Sequence, residues 1–269
     1  MPRFWALIVL LLALSACQTN AEGNASSSLV DNNAIQWDRS PSTVVFRADI
    51  TGGNEENSFA RRNEVPPCTI YGDNRVVWLN HVGTYETQVL WDQVSDQAIR
   101  DFVTHLTISE RFYEYEAQAD VQPASAVSPV IETLTLFVSG QQHQSDAYSG
   151  WEGDYYTRIL SKCQTLSAAP ILFEPSAAWV SAEAIPPEQS DTSAFNIPWD
   201  AQASGLSLAE LAASGERRWI TDRNVRVLWN LIRNSVSNLR FTEGDGQFRV
   251  ALEVPGVTRE SPPAPTASS

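Results

Sequence analysis

Short stretches in which apolar residues alternate with polar ones recur along the chain, at the two-residue period of a β-strand with one buried face. Strands are predicted on this basis at residues 43–49, 69–71, 75–79, 87–91, 132–138, 143–147, 177–182, 239–242 and 247–254. Gly, Asn, Asp and Ser, which suit tight turns, join three pairs of these strands at residues 72–74, 139–140 and 243–246. We therefore expect β-hairpins at these three places.

Three other segments carry apolar residues at the spacing of one helix face. The first, residues 96–106, follows Ser95 as its N-cap; the second ends at Cys163; the third is capped by Thr221 or Asp222. Their apolar stripes are Ile99, Phe102, Val103 and Leu106; Tyr156, Ile159 and Leu160; and Val225, Leu228, Trp229 and Ile232. Strands joined by hairpins, with helices between them, predict an α+β fold with a mainly antiparallel sheet and about three packed helices.

Composition divides the chain into segments. Residues 17–40 are polar and rich in Ser, Asn and Ala, which predicts a flexible tether, and residues 255–269 are dominated by Pro, Ser and Ala, which predicts a disordered tail. A Pro-containing, acidic connection begins at residue 185. It predicts an α+β subdomain at 41–184 and a smaller helix–hairpin subdomain at 185–254, and leaves open whether these are one domain or two.

The N-terminus carries Arg3 and then an uninterrupted apolar run at residues 4–14. A positive start and an apolar run of this length are the marks of a secretory signal, and a membrane-spanning helix would need about 20 apolar residues. The run closes on Leu14-Ser15-Ala16-Cys17. This sequence resembles the lipobox of bacterial lipoproteins.

The lipobox resemblance implies that residues 1–16 are a signal peptide cleaved after Ala16, and that Cys17 carries a diacylglycerol thioether and a fatty acid such as palmitate. Two or three acyl chains together anchor a protein, at about 0.8 kcal/mol per buried methylene. The implied location is the extracytoplasmic side of the cell envelope. Gln18 would favour the outer membrane of a two-membrane bacterium; otherwise the anchor would be the outer face of the cytoplasmic membrane. The alternative is a plain signal peptide in which Cys17 is incidental.

The chain of 269 residues is acidic, with 32 Asp and Glu against 18 Lys and Arg and a net charge of −14. The sequence contains no basic stripe of the kind that binds nucleic acid, so no nucleic-acid partner is expected. An acidic surface is also repelled by anionic headgroups, so membrane attachment would come from the lipid on Cys17. The expected partners are the membrane, through that lipid, and an envelope protein or glycan.

Three cysteines are present, Cys17, Cys68 and Cys163. If Cys17 carries lipid, the other two form an even set in an oxidising compartment, which predicts a Cys68–Cys163 disulfide. Its loop of about 95 residues would be worth roughly 4–5 kcal/mol in the chain-entropy treatment. Two buried free thiols are the alternative.

A second resemblance covers the segment from Pro66 through the first predicted helix. Tyr71-Gly72-Asp73 leads into Arg75-Val76-Val77, and this looks like uncharacterised bacterial envelope proteins that carry a Tyr-Gly-Asp-Gly hairpin. Asn74 stands here in place of the last Gly. The resemblance implies no known activity.

Several features could carry chemistry, and each has a simpler structural explanation. The turns at residues 71–74 and 243–246 could bind a ligand or calcium, yet both suit ordinary hairpin turns. A set of aromatic residues could form a surface for a saccharide or peptide, or could pack in the core. That set is Tyr113, Tyr115, Trp151, Tyr155 and Tyr156.

Titratable residues give no catalytic signature. His81, His105 and His143 could build a base or a metal site only if the fold brings them together. Two acidic pairs, Glu152 with Asp154 and Glu55 with Glu56, are interpreted as ordinary solvent-exposed charges. The sequence lacks a nucleophile elbow, a zinc-protease motif and a phosphate loop, so no catalytic, cofactor-binding or metal-ligating residue is assigned. A noncatalytic role in binding or envelope assembly, without a cofactor, is favoured; the alternative is an extracytoplasmic hydrolase that combines scattered carboxylates with His81 or His143.

Overall fold

Antiparallel pairing builds a seven-stranded sheet from the first part of the domain. The computed structural model describes residues 35–53, 58–84, 86–117, 129–189, 195–221, 223–235 and 238–266. The strands of the first sheet are β1 (Val44–Gly52), β2 (Cys68–Tyr71), β3 (Arg75–His81), β4 (Thr87–Gln93), β5 (Val130–Val138), β6 (Gln141–Asp146) and β7 (Ile171–Leu172). Their order is β6-β5-β1-β2-β3-β4-β7, and every neighbouring pair is antiparallel.

A second sheet has five strands in the order β10-β8-β12-β11-β9. These are β8 (Ala177–Ala184), β9 (Asn196–Pro198), β10 (Arg218–Thr221), β11 (Arg240–Glu243) and β12 (Gly246–Glu253). The pairing of β11 with β9 is parallel and the others are antiparallel. Strand β8 lies before residue 185 and pairs with both β10 and β12, which lie after it. The predicted subdomain boundary at residue 185 therefore falls between strands of one sheet. The contacts of the chain also group Trp37–Ser269 into one compact unit.

Among the described residues, five α-helices accompany the two sheets: α1 (Asp96–Thr104), α2 (Tyr155–Gln164), α3 (Ala201–Ser204), α4 (Leu208–Ser214) and α5 (Arg223–Arg233). The predicted α+β class is confirmed, with five helices in the described ranges where the sequence predicted about three. Short 3-10 turns occur at Phe59–Asn63, Phe112–Glu114 and Pro187–Gln189, and a π-turn at His105–Ser109. In the part of the chain that the structure describes, none of the helices is both long enough and apolar enough to span a membrane.

Helix α1 begins where the sequence predicts. The Oγ of Ser95 accepts a hydrogen bond from the backbone N of Ala98 at 3.2 Å, which satisfies one of the free amides of the first turn. Phe102, in the buried stripe of α1, places its ring 4.8 Å from the ring of Phe46 in β1. The apolar stripe therefore packs α1 against the seven-stranded sheet.

The two faces of the seven-stranded sheet contact different layers, because side chains alternate along each strand. On one face, Phe46 meets α1 and Cys68 meets α2. On the other face, Tyr71, Val77 and Val89 join a core shared with the second sheet. Helices α4 and α5 complete that core with Leu208, Leu211, Val225, Leu228 and Trp229.

The folded region extends beyond the segment that composition assigns to it. Trp37, within the predicted tether, is buried, and its Nε1 donates to the carbonyl of Gly72 at 3.1 Å. Val257, within the predicted disordered tail, is buried, and the backbone N of Arg259 donates to the carbonyl of Glu64 at 2.8 Å. Composition averages over a segment, so it overlooks single residues that have a place in the core.

Candidate functional site

The two cysteines outside the predicted lipobox lie against each other. Cys68 in β2 and Cys163 in α2 have sulfur atoms 1.94 Å apart and Cα atoms 6.4 Å apart, and both residues are fully buried. The predicted pair is therefore at disulfide distance and joins the first sheet to α2. Cys17, the predicted lipidation site, lies outside the described residues, as does the predicted signal peptide.

The Tyr-Gly-Asp-Asn turn between β2 and β3, a candidate ligand loop, is covered by the protein's own chain. A Cβ on Gly72 would lie 2.0 Å from the backbone oxygen of Asp38 and 2.6 Å from that of Ser40. Asn74 adopts the left-handed conformation, with φ of 69°, and its Nδ2 donates to Asp96 at 2.6 Å. The turn therefore has a structural role, which is the simpler of the two explanations that the sequence allowed.

The Glu-Gly-Asp-Gly turn between β11 and β12 also has a structural role. Oε1 of Glu243 accepts a hydrogen bond from Oγ of Ser207 at 2.7 Å, and Oε2 accepts one from the backbone N of Leu208 at 2.6 Å. The carboxylate therefore lies at the N-terminus of α4, where the helix dipole favours a negative charge. One of the two acidic groups of this turn is thus already engaged.

The three histidines have different surroundings. His81 is exposed at the end of β3. The Nε2 of His105 lies 3.3 Å from a carboxylate oxygen of Glu110, and the Nε2 of His143 lies 2.7 Å from the carbonyl oxygen of Tyr115. Among the described residues, neither His81 nor His143 has a carboxylate within 4 Å, and no group of three or more His, Cys, Asp or Glu could hold a metal ion.

The acidic residues near α2 belong to an ion-pair network around Arg158. Its Nη2 lies 2.7 Å from Oε2 of Glu110, its Nη1 lies 4.0 Å from Glu152, and Nη1 also contacts Asp154. The hydrogen bond from Arg158 lowers the pKa of Glu110, so that this carboxyl stays ionised and is poorly suited to donate a proton. The other acidic pair, at residues 55–56, lies outside the described residues.

The five aromatic residues considered as a binding surface mostly pack against one another. The ring centroids are 4.9 Å apart for Tyr115 and Tyr155, 5.4 Å for Trp151 and Tyr155, and 6.2 Å for Trp151 and Tyr156. Tyr155 and Tyr156 are buried, and only Tyr113 of the five is exposed. Packing is therefore the main use of this cluster.

A cleft lies between the 3-10 turn Phe59–Asn63, the end of α5 and strands β11 and β12, at residues that were not among the predicted site residues. Its volume is about 660 Å³, within the range of small-ligand sites. Its lining combines apolar side chains such as Ile232 and Phe241 with four arginines, Arg61, Arg233, Arg240 and Arg249, and with one carboxylate, Glu64. We call it the arginine cleft.

Asn63 fixes one wall of the arginine cleft to the second sheet. Its Nδ2 donates to the carbonyl of Val250 at 3.0 Å, and its Oδ1 accepts from the backbone N of Leu252 at 2.7 Å. The carbonyl oxygen of Asn63 in turn accepts a hydrogen bond from Nη2 of Arg233. The side-chain hydrogen bonds of Asn63 therefore hold the 3-10 turn against the second sheet. They also fix the position of the Asn63 carbonyl oxygen, which accepts the hydrogen bond from Arg233.

Arg233, the last residue of α5, is a buried cation. It is 9% exposed, its guanidinium carbon lies 4.7 Å from the centroid of the Trp229 ring, and its Nε is buried without a hydrogen-bond partner. Burial lowers the pKa of Arg233 to about 10, against a smaller opposite effect from the charge of Glu64. That carboxylate lies 2.7 Å from Arg61 and 3.0 Å from Arg259, so other arginines already engage it.

Arg240 adds a second guanidinium group that forms no ion pair with a described residue. It is buried, and its two Nη atoms donate to Oε1 of Gln247 and to the carbonyl of Gln189, each at 3.2 Å. Within the described ranges, no carboxylate lies within 4 Å of either Arg233 or Arg240. Because four arginines and one carboxylate line the cleft, it carries an excess of positive charge in a chain whose net charge is −14, and such a site attracts anions.

One sequence signal could have pointed to this cleft. Val225, Trp229 and Arg233 follow one another at intervals of four residues, so Arg233 continues the apolar stripe of α5 onto its buried face. A charged residue at a core position needs a partner or a function. The lining is completed by residues of the 3-10 turn region, β11 and β12, and this combination leaves no local pattern.

The fold and this cleft define a disulfide-linked α+β domain with an arginine-lined depression. Comparisons with protein-family models, with curated proteins and with solved structures found no match. The function of the domain is therefore inferred from its own residues.

Proposed function

We propose that the protein is a lipid-anchored domain on the extracytoplasmic side of the cell envelope, with a noncatalytic role in binding or in envelope assembly. Cys17 would carry the lipid, and the polar residues that follow it would connect the anchor to the domain that begins near Trp37. The arginine cleft would be the binding site.

The observation that supports this compartment is the buried Cys68–Cys163 pair. Disulfides persist in oxidising compartments and are rare in the cytosol. The chain has three cysteines, and the pair uses the two that are left once Cys17 is lipidated. Anchor and disulfide are therefore two consequences of one export route.

The binding role is supported by the arginine cleft, whose volume and mixed apolar and charged lining suit a small ligand. The hydrolase alternative would need His81 or His143 to act together with carboxylates. Neither histidine has a carboxylate within 4 Å in the part of the chain that is described, so the hydrolase stays a prediction without a supporting contact.

The anchor is tested by metabolic labelling with a palmitate analogue in a bacterial host, followed by cell fractionation without detergent. The wild-type chain should incorporate the label and sediment with membranes. Cys17→Ala should lose both properties, because no other thiol lies at the cleavage site. Cys68→Ala is the matched control, which removes a cysteine of the domain and should keep the label. Label retained by Cys17→Ala, or a wild-type chain recovered free of membranes, would reject the anchor.

A further inference from the structure

We propose that the arginine cleft binds the acidic head of a small organic anion, a carboxylate or a phosphate, with the apolar part of the same ligand lying along the cleft. The inference rests on the proposed binding role and adds the chemical class of the ligand. Three features of the cleft carry it: a buried cation that forms no ion pair among the described residues, further donors on the same lining, and apolar walls.

The first feature is the state of Arg233. A buried cation is costly unless it is paired and hydrogen-bonded. Arg233 has the carbonyl of Asn63 and the ring of Trp229 as neighbours, but its Nε has no acceptor. An oxyanion would supply both a counter-charge and an acceptor, and guanidinium groups bind carboxylates and phosphates with charge-assisted hydrogen bonds.

The second feature is a set of further donors on the same lining. Arg240 is buried and has only neutral acceptors, on Gln247 and Gln189. The Oγ of Ser58 is buried without a hydrogen-bond partner and also lines the cleft. Two cations and a hydroxyl suit an acceptor with several oxygen atoms better than they suit a single carbonyl.

The third feature is the apolar part of the lining, which argues for an organic ligand over a bare inorganic ion. Phe59, Ile232, Leu239 and Phe241 share the cleft with the arginines. Removal of apolar ligand surface from water contributes about 25 cal/mol per Å². A ligand with an acidic head and a short apolar body would use both kinds of lining.

The test is calorimetric titration of the chain from residue 17 onward, with Cys17→Ser so that no detergent is needed. The probes are octanoate, octyl phosphate and uncharged 1-octanol, each below its micelle concentration, and inorganic phosphate. At least one of the two charged octyl probes should bind tenfold or more tightly than 1-octanol and inorganic phosphate. The tighter of the two identifies the head as carboxylate or phosphate. Equal binding of 1-octanol, or binding of inorganic phosphate alone, would overturn the proposal.

Variants on α5 separate the cleft from general charge effects. Arg233→Met should weaken binding of the preferred octyl probe at least tenfold. Arg226→Met is the matched control, since Arg226 is exposed on the same helix and lies outside the cleft lining, and it should bind as the wild type does. Unchanged affinity in a folded Arg233→Met protein would assign Arg233 a purely structural role and overturn the proposal.

Two measurements keep the test decisive if Arg233→Met does not fold. Arg240→Met should also lower the affinity at least tenfold, and in the wild-type chain the NMR signal of the Arg233 Nε–H should shift when the probe is added. If saturating probe moves neither the Arg233 nor the Arg240 signal, the proposal fails. Probe binding without label at Cys17 would reject only the anchor, whereas label without probe binding would reject only the ligand class.

Discussion

Gly72 shows how a residue without a side chain can hold two segments together. The backbone oxygens of Asp38 and Ser40 occupy the space that a Cβ at this position would need. The carbonyl of Gly72 also accepts the hydrogen bond from Trp37. The sequence predicted a turn here, but the close approach of the N-terminal segment is a tertiary contact that no local pattern encodes.

Gly72→Ala should destabilise the domain by about 1–3 kcal/mol, because the added methyl group forces the segment around Asp38 and Ser40 away from the turn. Urea denaturation followed by tryptophan fluorescence would measure the change. Gly153→Ala is the matched control, since nothing lies within 4 Å of a Cβ there. Equal midpoints for the two variants would show that the segment is not held by Gly72.

Asp96 is a second residue whose neighbours come from separate segments. Both of its oxygens accept hydrogen bonds from Arg39 at 2.6 Å, and Asn74 donates to one of them. These bonds, led by those of Arg39, lower the pKa of Asp96. A carboxyl with a depressed folded-state pKa contributes stability that is present above its unfolded value near 4 and is lost as the pH falls through the folded value.

Asp96→Asn should lower the free energy of unfolding at pH 7 by about 0.5–1 kcal/mol, a modest figure because the side chain is 40% exposed. The variant should also lose less stability than the wild type between pH 5 and pH 2, because over this range Asp96 takes up a proton in the unfolded wild-type chain while its depressed pKa keeps it ionised in the folded one. Urea midpoints at several pH values would measure both effects. Asp101 is an exposed acid on the same helix, and the urea midpoints of Asp101→Asn should depend on pH as those of the wild type do. If the midpoints of Asp96→Asn also fell with pH as steeply as those of the wild type, the prediction would be contradicted.

At the scale of elements, the cysteine pair joins β2 to α2. Cys68 and Cys163 are fully buried and 95 residues apart in sequence. The sequence predicted this pair from the compartment and the cysteine count. The structure adds the reason why it can form, since α2 lies on the face of the sheet to which Cys68 points.

Loss of this bridge should cost about 2–5 kcal/mol of stability. Thermal unfolding of the Cys17→Ser chain with and without reductant would measure it, and a Cys68→Ala/Cys163→Ala variant should be insensitive to reductant. Without reductant, thiol titration of the denatured Cys17→Ser chain should find no reactive thiol. Two reactive thiols would favour the alternative of buried free cysteines.

Apart from β7, the strands and α-helices that the sequence missed lie between residues 196 and 221. Helix α4 has seven residues, too few for a periodic pattern and too short to be stable alone. Its N-terminus is capped by Ser207 and by Glu243 from the β11–β12 turn. Strand β10 has four residues, and its Trp219 ring lies 5.2 Å from that of Trp179 in β8. Contacts with distant residues define both elements.

At the scale of the whole molecule, the C-terminal segment connects parts of the domain that are far apart in sequence. The Nη2 of Arg259 lies 2.8 Å from Asp49 in β1 and 3.0 Å from Glu64, and it donates to the carbonyl of Ile50. Burial raises the pKa of Asp49, and the charge of Arg259 limits that rise. One arginine past β12 therefore neutralises an acid of the first sheet.

Arg259→Met should lower the free energy of unfolding by about 3–5 kcal/mol at pH 7, because it leaves Asp49 buried without its cation. The loss should shrink as the pH falls toward 4, since a protonated Asp49 needs no counter-charge. Urea denaturation at both pH values would measure this. Arg218→Met, which removes an exposed pair with Glu210, should change stability little, and a similar small effect for Arg259→Met would contradict the prediction.

Local patterns were enough to predict the α+β class, most strands and the first helix with its cap. These elements can be predicted because the alternation of buried and exposed side chains, and the hydrogen bonds of a hairpin, involve residues that are close in sequence or separated by a short turn. The cysteine pair followed from the count of cysteines and the inferred compartment. These features depend on the order of residues and on chemistry that does not require the final packing.

The arginine cleft could not be predicted in the same way. Ser58, Arg233 and Arg240 come from the 3-10 turn region, the end of α5 and β11, and they share one lining only because the 3-10 turn and α5 pack beside the second sheet, to which β11 belongs. Whether a guanidinium group is solvated or buried is decided by its neighbours in space. The charge of each arginine is therefore determined by the sequence. The excess of positive charge in the cleft arises only when the fold brings these arginines together.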